Sequence, residues 1–284
     1  MGKVVGIVNP GMMGIAVARS MKNGGNRVLW ASEGRSAATR ARAEEADLTE
    51  VATLDELCAQ AEIVVSVCPP HSAENVADTI IATRFSGIFC DANAISPRSV
   101  GKIGRKMAAA NISFVDGSII GLPPTRCQQS WLYLSGEHAP AVAALFSEGP
   151  LEAEVIGTEI GKASALKMCY AANTKGVNAL FTAIFGLADH HGVLDVLINE
   201  WSRNGGNMAA DRERRLVSVA ANKAWRFAGE MEEIADTFAD AGLPDGIHRA
   251  SAEIYRRIGH LRHADSPVGL EDVLTALNSV DERQ

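Results

Sequence analysis

The sequence predicts an α/β fold: an N-terminal doubly wound parallel sheet over residues 1–157, followed by an all-α region over residues 158–284. Three observations predict it. Short, almost wholly apolar runs alternate with helical patterns from Val4 to Ile156, as buried parallel strands with crossover helices require. The first run, Val4-Val5-Gly6-Ile7-Val8, passes through Asn9-Pro10-Gly11 directly into a helical pattern. Beyond Gly157 no stretch reads as a strand.

Taken in order, Met12 to Asn23 is a helix stopped by Gly24-Gly25, and Arg27 to Ala31 is the second strand. Thr53 and Glu56 form a capping box for a helix through Ala61. Ile63 to Cys68 is a strand ending in Pro69-Pro70, and Ser72 opens the next helix. Gly87 to Asp91 and Ile112 to Asp116 are strands around a helix that starts at Pro97. Trp131 to Leu134 and Glu154 to Ile156 are late strands bracketing a helix from His138 to Phe146. The remainder is helical: Ile160 to Ala188, Leu194 to Trp201, Met208 to Thr237, Gly246 to His260 and Leu270 to Asn278. The domain boundary is expected near 157, with no linker of low complexity.

At 284 residues the chain is long enough for two domains, and 47% hydrophobic with 21% charged residues describes a globular protein. A net charge of −7 argues against nucleic acid or an anionic membrane as partner. Any anionic ligand must then be held by local positive groups. The five cysteines, Cys58, Cys68, Cys90, Cys127 and Cys169, are odd in number and widely spaced, which reads as reduced, buried thiols in a cytoplasmic protein. No metal-ligand spacing is present: His260 and His263 share a helix face but lack further ligands. No apolar run approaches a membrane span, and the N-terminus enters a strand without a cleavable leader.

The first turn carries the chemistry. In the dinucleotide fingerprint G-x-G-x-x-G the glycines make the tight turn, let backbone approach the pyrophosphate and let helix pack on strand. Here that spacing falls on Asn9, Gly11 and Gly14, with Pro10, Met12 and Met13 completing the turn. Asn is the residue that best replaces glycine in a left-handed conformation. Strand, helix and strand within about thirty residues supply the context of a Rossmann-type domain. The tip of the second strand decides between cofactors, since NAD needs an acid for the ribose hydroxyl and NADP needs cations for the 2′-phosphate. The positions expected to be acidic hold Ala31 and Ser32, whereas Arg35 follows with Ser36 and Arg40. NADP is therefore expected, with Ser32 and Arg35 on the phosphate; the alternative is NAD, with Glu33 on the ribose. Ligands of such sheets bind at the carboxyl ends of the strands, which places Cys68, Pro69, Asn93 and the segment Asp116 to Leu122 around the same crevice.

The helix from Ile160 to Ala188 is apolar nearly all round, so it is expected to be central and buried, about 45 Å long. Within it Lys167, Thr174 and Asn178 fall on one strip at 100° per residue. An ammonium in an apolar wall is costly unless it is used. A role in acid/base work is expected for Lys167, the plain alternative being a lysine that snorkels to solvent.

These residues resemble the β-hydroxyacid dehydrogenases, among them the 3-hydroxyisobutyrate and 6-phosphogluconate dehydrogenases, over the whole chain. Gly6 to Gly14 is similar to that family's cofactor turn, and Asp91-Ala92-Asn93-Ala94-Ile95-Ser96-Pro97 to its D-x-S-T-x-x-P segment beside the nicotinamide. Asp116-Gly117-Ser118-Ile119-Ile120-Gly121 falls where the family has its carboxylate loop, D-x-P-x-S-G-G. Gly161 to Lys167 is similar to its G-x-G-x-x-x-K run, which implies that Lys167 is the catalytic lysine. The segments Lys162 to Gly176 and Ala224 to Pro244 look most like the branch with a 6-phosphogluconate-dehydrogenase-like C-terminal domain. Three departures stand out: Ile120 and Leu122 replace a serine and a glycine, and Ala171 replaces an asparagine. The resemblance implies an NADP-dependent oxidoreductase for a small hydroxy acid, with Ser118, Ile120, Gly121, Thr174 and Asn178 on the substrate. Two alternatives differ in class: an imine reductase on the same fold, and an NADP-binding sensor or scaffold that lost catalysis. The long apolar helix implies a homodimer.

Overall fold

The computed structural model describes residues 2–124, 129–203 and 206–279. It divides into two compact units, Met1–Met168 and Cys169–Gln284, the division falling inside one long helix.

In the first unit eight strands form one sheet in the order β3-β2-β1-β4-β5-β6-β7-β8: Val4–Ile7, Arg27–Ala31, Thr49–Val51, Ile63–Ser66, Ile88–Asp91, Ser113–Ile120, Ser130–Ser135 and Leu151–Gly157, numbered β1 to β8 in chain order. Every pair is parallel except β6 with β7. The central strands are apolar without alternation because both faces are covered. On one face Val5, Ile7, Val28, Trp30, Ile63 and Val65 meet α1 (Met12–Asn23); on the other Leu29, Val64 and Phe89 meet α3 (Leu54–Gln60), α4 (Ala73–Ala82) and α5 (Pro97–Ala109). α2 (Ala37–Glu45) follows β2, and α6 (Ala139–Ala143) lies between β7 and β8. The order reverses between β1 and β4, so their carboxyl ends open the crevice that such a switch point provides.

The second unit is helical: the later turns of α7 (Lys162–His190), then α8 (Leu194–Ser202), α9 (Met208–Asn222), α10 (Ala224–Asp240), α11 (Gly246–Ile258) and α12 (Leu270–Asn278). Among the described residues no helix is long and apolar enough to cross a membrane.

Four expectations change. The stretch Met208 to Thr237 is two helices, broken at Lys223 (φ −133°), where the break lets α10 pair with α11. The segment from Asp116 to Ile120 is strand rather than loop, because Asp116 finds partners inside the fold. α7 is not buried all round: Leu180 is 49% and Leu187 62% exposed. Its inner face in the second unit is instead taken by Lys175, Asn178, Ala179, Thr182 and Phe185, so large apolar residues are left outside. Of the thiols, Cys58 and Cys90 are buried and Cys68 half-buried, but Cys169 is exposed, and Cys127 lies outside the described residues.

Candidate active site

The turn after β1 is built to leave α1 open at its N-terminus. Gly11 caps the helix without a side-chain bond, and no acidic residue stands in the first turn. Its amides and dipole therefore present uncompensated positive charge. A Cβ on Gly14 would come within 2.0 Å of the Asn9 carbonyl, so only glycine lets helix and turn approach this closely. A Cβ on Gly11 would meet nothing within 4 Å, so this backbone faces open space into which a phosphate fits. Pro10 is buried beneath the turn, Met13 is half-buried and Met12 is exposed.

Asn9 does not use a left-handed conformation, since it is not among the residues with positive φ. It serves instead as an acceptor. Arg35 Nη1 donates to Asn9 Oδ1 at 2.7 Å and Nη2 to the Val8 carbonyl at 3.0 Å, bringing the guanidinium from beyond β2 onto the glycine turn. Arg35 Nε is buried without a hydrogen-bond partner. Arg40 Nη2 donates to the carbonyl of buried Ser32 at 2.7 Å, and Arg42 Nε to the Pro10 carbonyl at 3.5 Å. Two cations, Arg35 and Arg42, thus gather on the turn of a chain whose net charge is −7, while Arg40 is ion-paired with Glu50 at 3.3 Å. Arg42 was not evident from sequence; its spacing from Arg35 of about two helical turns was the available signal. The phosphates of a dinucleotide fit this donor set and the open backbone at Gly11.

Beside the turn, Cys68 and Pro69 follow β4, and Asn93 follows β5. The Asn93 carboxamide is fully engaged: Nδ2 donates to Asp91 Oδ2 at 3.0 Å and to Ser66 Oγ at 3.4 Å, while Oδ1 accepts from the Cys68 amide. It ties the ends of β4 and β5 together, so contact with a nucleotide falls to its backbone. Burial pushes the Asp91 carboxyl up to about 7 against the Asn93 hydrogen bonds, with the Asp116 charge adding to the rise. Burial, then the charge of Asp91, pushes the Cys68 thiol up to about 12, so it is a neutral thiol and no nucleophile.

Asp116 is aligned with Asp91 across β5 and β6, yet its environment differs. Burial pushes its carboxyl up, while donors hold it back. Ser135 Oγ (3.0 Å), Gly161 N (2.9 Å), Ser164 N (3.1 Å) and Ser164 Oγ (2.7 Å) all donate to it. Asp116 is thus the N-terminal cap of α7, supplied from a strand 48 residues away in sequence. With the helix start pinned to β6, Lys167 lies over the end of the same strand, and its Nζ donates to the Ile119 carbonyl at 2.6 Å. Its side chain is half-buried. Ser118 is fully buried with an unpartnered Oγ, and Ile120 ends the strand. Gly121 then turns at φ +129°, where a Cβ would strike Ser130 Oγ at 2.3 Å. The structure therefore brings Lys167, Ser118, Ile120 and Gly121 to one end of β6.

Thr174 and Asn178 belong to the second unit. Thr174 Oγ1 donates to the Tyr170 carbonyl at 3.3 Å, and Asn178 Nδ2 to Tyr255 Oη at 3.4 Å. The buried cation there is Lys175, paired with Glu230 at 2.8 Å and set 5.0 Å over the Phe227 ring.

Residues 1–86 match the NAD-binding domain of D-isomer-specific 2-hydroxyacid dehydrogenases, and residues 188–258 match a domain of unknown function, DUF1932. An uncharacterised 28.5 kDa protein of Methanothermus fervidus is 30% identical over 63% of this chain and 68% of its own length. A conserved protein of unknown function, reported as structurally similar to 3-hydroxyacid dehydrogenases, shares 27% identity over 90% of this chain and 99% of its own, with a TM-score of 0.64. The 3-hydroxyisobutyrate dehydrogenase of Mycobacterium tuberculosis has the same fold at 14% identity, covering 98% and 100% of the two chains with a TM-score of 0.71. An imine reductase of Myxococcus stipitatus is folded alike at 14% identity over 98% and 100%, with a TM-score of 0.55. The chain thus joins an NAD-binding domain of the hydroxyacid-dehydrogenase type to DUF1932 on the fold of the hydroxyacid dehydrogenases, and belongs to one family with the Methanothermus fervidus protein.

Proposed function

We propose that this protein is an NADP-dependent oxidoreductase of small hydroxy acids, with Lys167 as general acid/base. The observation that carries the reading is the placement of the Lys167 ammonium, held at 2.6 Å from the Ile119 carbonyl at the carboxyl end of β6. Asn9 to Met13, Ser32, Arg35 and Arg42 hold the dinucleotide, with Cys68, Pro69 and Asn93 bordering its nicotinamide end. Bound nicotinamide supplies hydride exchange at the carbinol carbon. In reduction the Lys167 ammonium gives a proton to the substrate oxygen as the hydride arrives, and in oxidation its neutral amine takes the hydroxyl proton as the hydride leaves. The Ile119 carbonyl fixes the ammonium, which keeps Nζ where a substrate oxygen can lie within hydrogen-bond reach. Ser118 and the backbone at Ile120 and Gly121 border the substrate. Both Ile120 and Leu122 narrow this end relative to a serine and a glycine, so a compact acid is favoured.

The test is a panel of three- to six-carbon hydroxy acids with NADP, set beside cyclic imines with NADPH. Turnover of a hydroxy acid is expected. Lys167→Met should lower it by about 10²- to 10⁴-fold while NADPH affinity stays within a few fold. Undiminished turnover in that variant overturns the role of Lys167. Turnover of imines alone would move the reading to the imine reductases that share the fold, and NADPH binding without turnover would make the protein a sensor or scaffold. We further read the exposed apolar residues Tyr170, Leu180, Leu187, Val193 and Val196 as the surface on which two copies pair.

A further inference from the structure

We propose that Asn9 is a positioning residue for cofactor choice: it holds Arg35 on the glycine turn in the orientation that receives the 2′-phosphate of the cofactor. The inference rests on the NADP reading above. Asn9 occupies the first glycine position of the fingerprint, and its conformation does not explain it, since it keeps a negative φ. What distinguishes it from glycine is its carboxamide oxygen, which accepts from Arg35 Nη1 at 2.7 Å. Glycine here would leave the guanidinium with the Val8 carbonyl alone, at 3.0 Å, and free to pivot about that one bond.

The acceptor is also neutral. An aspartate would hold the same guanidinium equally well but cancel its charge, whereas an amide oxygen orients the cation and leaves it whole for an anion. A guanidinium has five N–H donors in a fixed plane. One at each Nη is taken by the turn, and the remainder include Nε, buried and unpartnered. Arg42 on the Pro10 carbonyl adds to the positive field without occupying those donors, whereas the charge of Arg40 is met by Glu50. The same turn that binds the pyrophosphate therefore sets the arginine that reads the adenosine end, so a departure from the glycine fingerprint becomes a specificity device.

The experiment measures the dissociation constants of NADPH and NADH, by quenching of intrinsic fluorescence, for the full chain and for Asn9→Gly, Asn9→Ala, Asn9→Asp, Arg35→Ala and the double variant Asn9→Gly/Arg35→Ala. The unmodified chain should prefer NADPH. Asn9→Gly and Asn9→Ala should each lower that preference by about ten-fold, the scale of one charge-assisted hydrogen bond, and Asn9→Asp by more. In the Arg35→Ala background Asn9→Gly should change the preference no further. A preference that survives Asn9→Gly, or that falls equally with and without Arg35, overturns the inference. Equal weakening of both nucleotides also overturns it, because Asn9 would then serve only the turn. A native chain without preference for NADPH overturns the cofactor reading itself, and this inference with it.

Discussion

Replacing Asp91 by Asn should make the protein's stability less sensitive to alkaline pH. The carboxyl sits at the end of β5, fully buried, and burial pushes it from an ordinary value of 3.8 to about 7. A group raised in the folded state binds its proton more tightly there than in the unfolded chain. Its contribution to stability is therefore complete below the unfolded value and is lost as pH rises to the folded one. At about 1.4 kcal/mol per unit, the cost that accumulates between pH 5 and pH 8 is roughly 3 kcal/mol. The carboxamide does not titrate and removes this slope. It also has a single acceptor oxygen where the carboxylate accepts from both the Asn93 amide and Asn93 Nδ2, so it brings a constant penalty of about 1 kcal/mol. His248 is lowered by burial and titrates with the opposite sign, but it is common to both proteins and cancels in the difference. Urea unfolding of both proteins at several pH values, followed by fluorescence and circular dichroism, yields that difference directly. A difference that stays flat from pH 5 to pH 8 refutes the reasoning, for Asp91 would then be ionised in the fold at no cost.

In the second unit, Glu230→Ala should destabilise by about 3–5 kcal/mol, because Lys175, 8% exposed, is left charged and unpaired. The double change to Met at Lys175 and Glu230 should recover most of that loss, and a urea midpoint unmoved by Glu230→Ala would contradict it. At the turn, Gly14→Ala forces a Cβ to 2.0 Å from the Asn9 carbonyl. It should cost about 1–3 kcal/mol and weaken NADPH and NADH together, as calorimetry would read. Finally, Leu180→Glu with Leu187→Glu should convert a dimer to monomers in sedimentation velocity, since both side chains are about half or more exposed on one chain. A native chain that sediments as a monomer removes the pairing surface.

The parts of this fold that could be read from sequence are those whose cause is local. Strands covered on both faces must be apolar throughout, so Ile63 to Ser66 stands out unaided, and helix ends announce themselves at Gly24 and at Thr53. Lys167 could be singled out because an ammonium in an apolar helix has few uses. What could not be read depends on partners far along the chain. Asp116, Gly117 and Ser118 look like a polar loop, and become strand only because Ser135, Gly161 and Ser164 arrive to satisfy Asp116. The neighbour that makes Lys175 a buried ion-pair member is Glu230, three helices later. The break at Lys223 carries neither glycine nor proline, and follows from the packing of α10 on α11 rather than from any residue at the joint.

The two aligned aspartates then take opposite tasks from one geometry. Asp91 and Asp116 are register partners on adjacent strands, and two carboxylates that close inside a low-dielectric sheet disfavour each other's charge. Four donors, three of them at the start of α7, favour the charged form of Asp116, while Asp91 receives only the two donors of Asn93. Charge on the pair therefore settles on Asp116, where it faces the positive end of α7 and fixes the helix whose Lys167 reaches the Ile119 carbonyl. Asp91 carries the proton more often, and so the end of β5 holds less than a full negative charge near neutral pH. On β3, Glu50 pairs with Arg40 at 3.3 Å, so the positive charge left for a bound nucleotide phosphate is that of Arg35 and Arg42 on the turn.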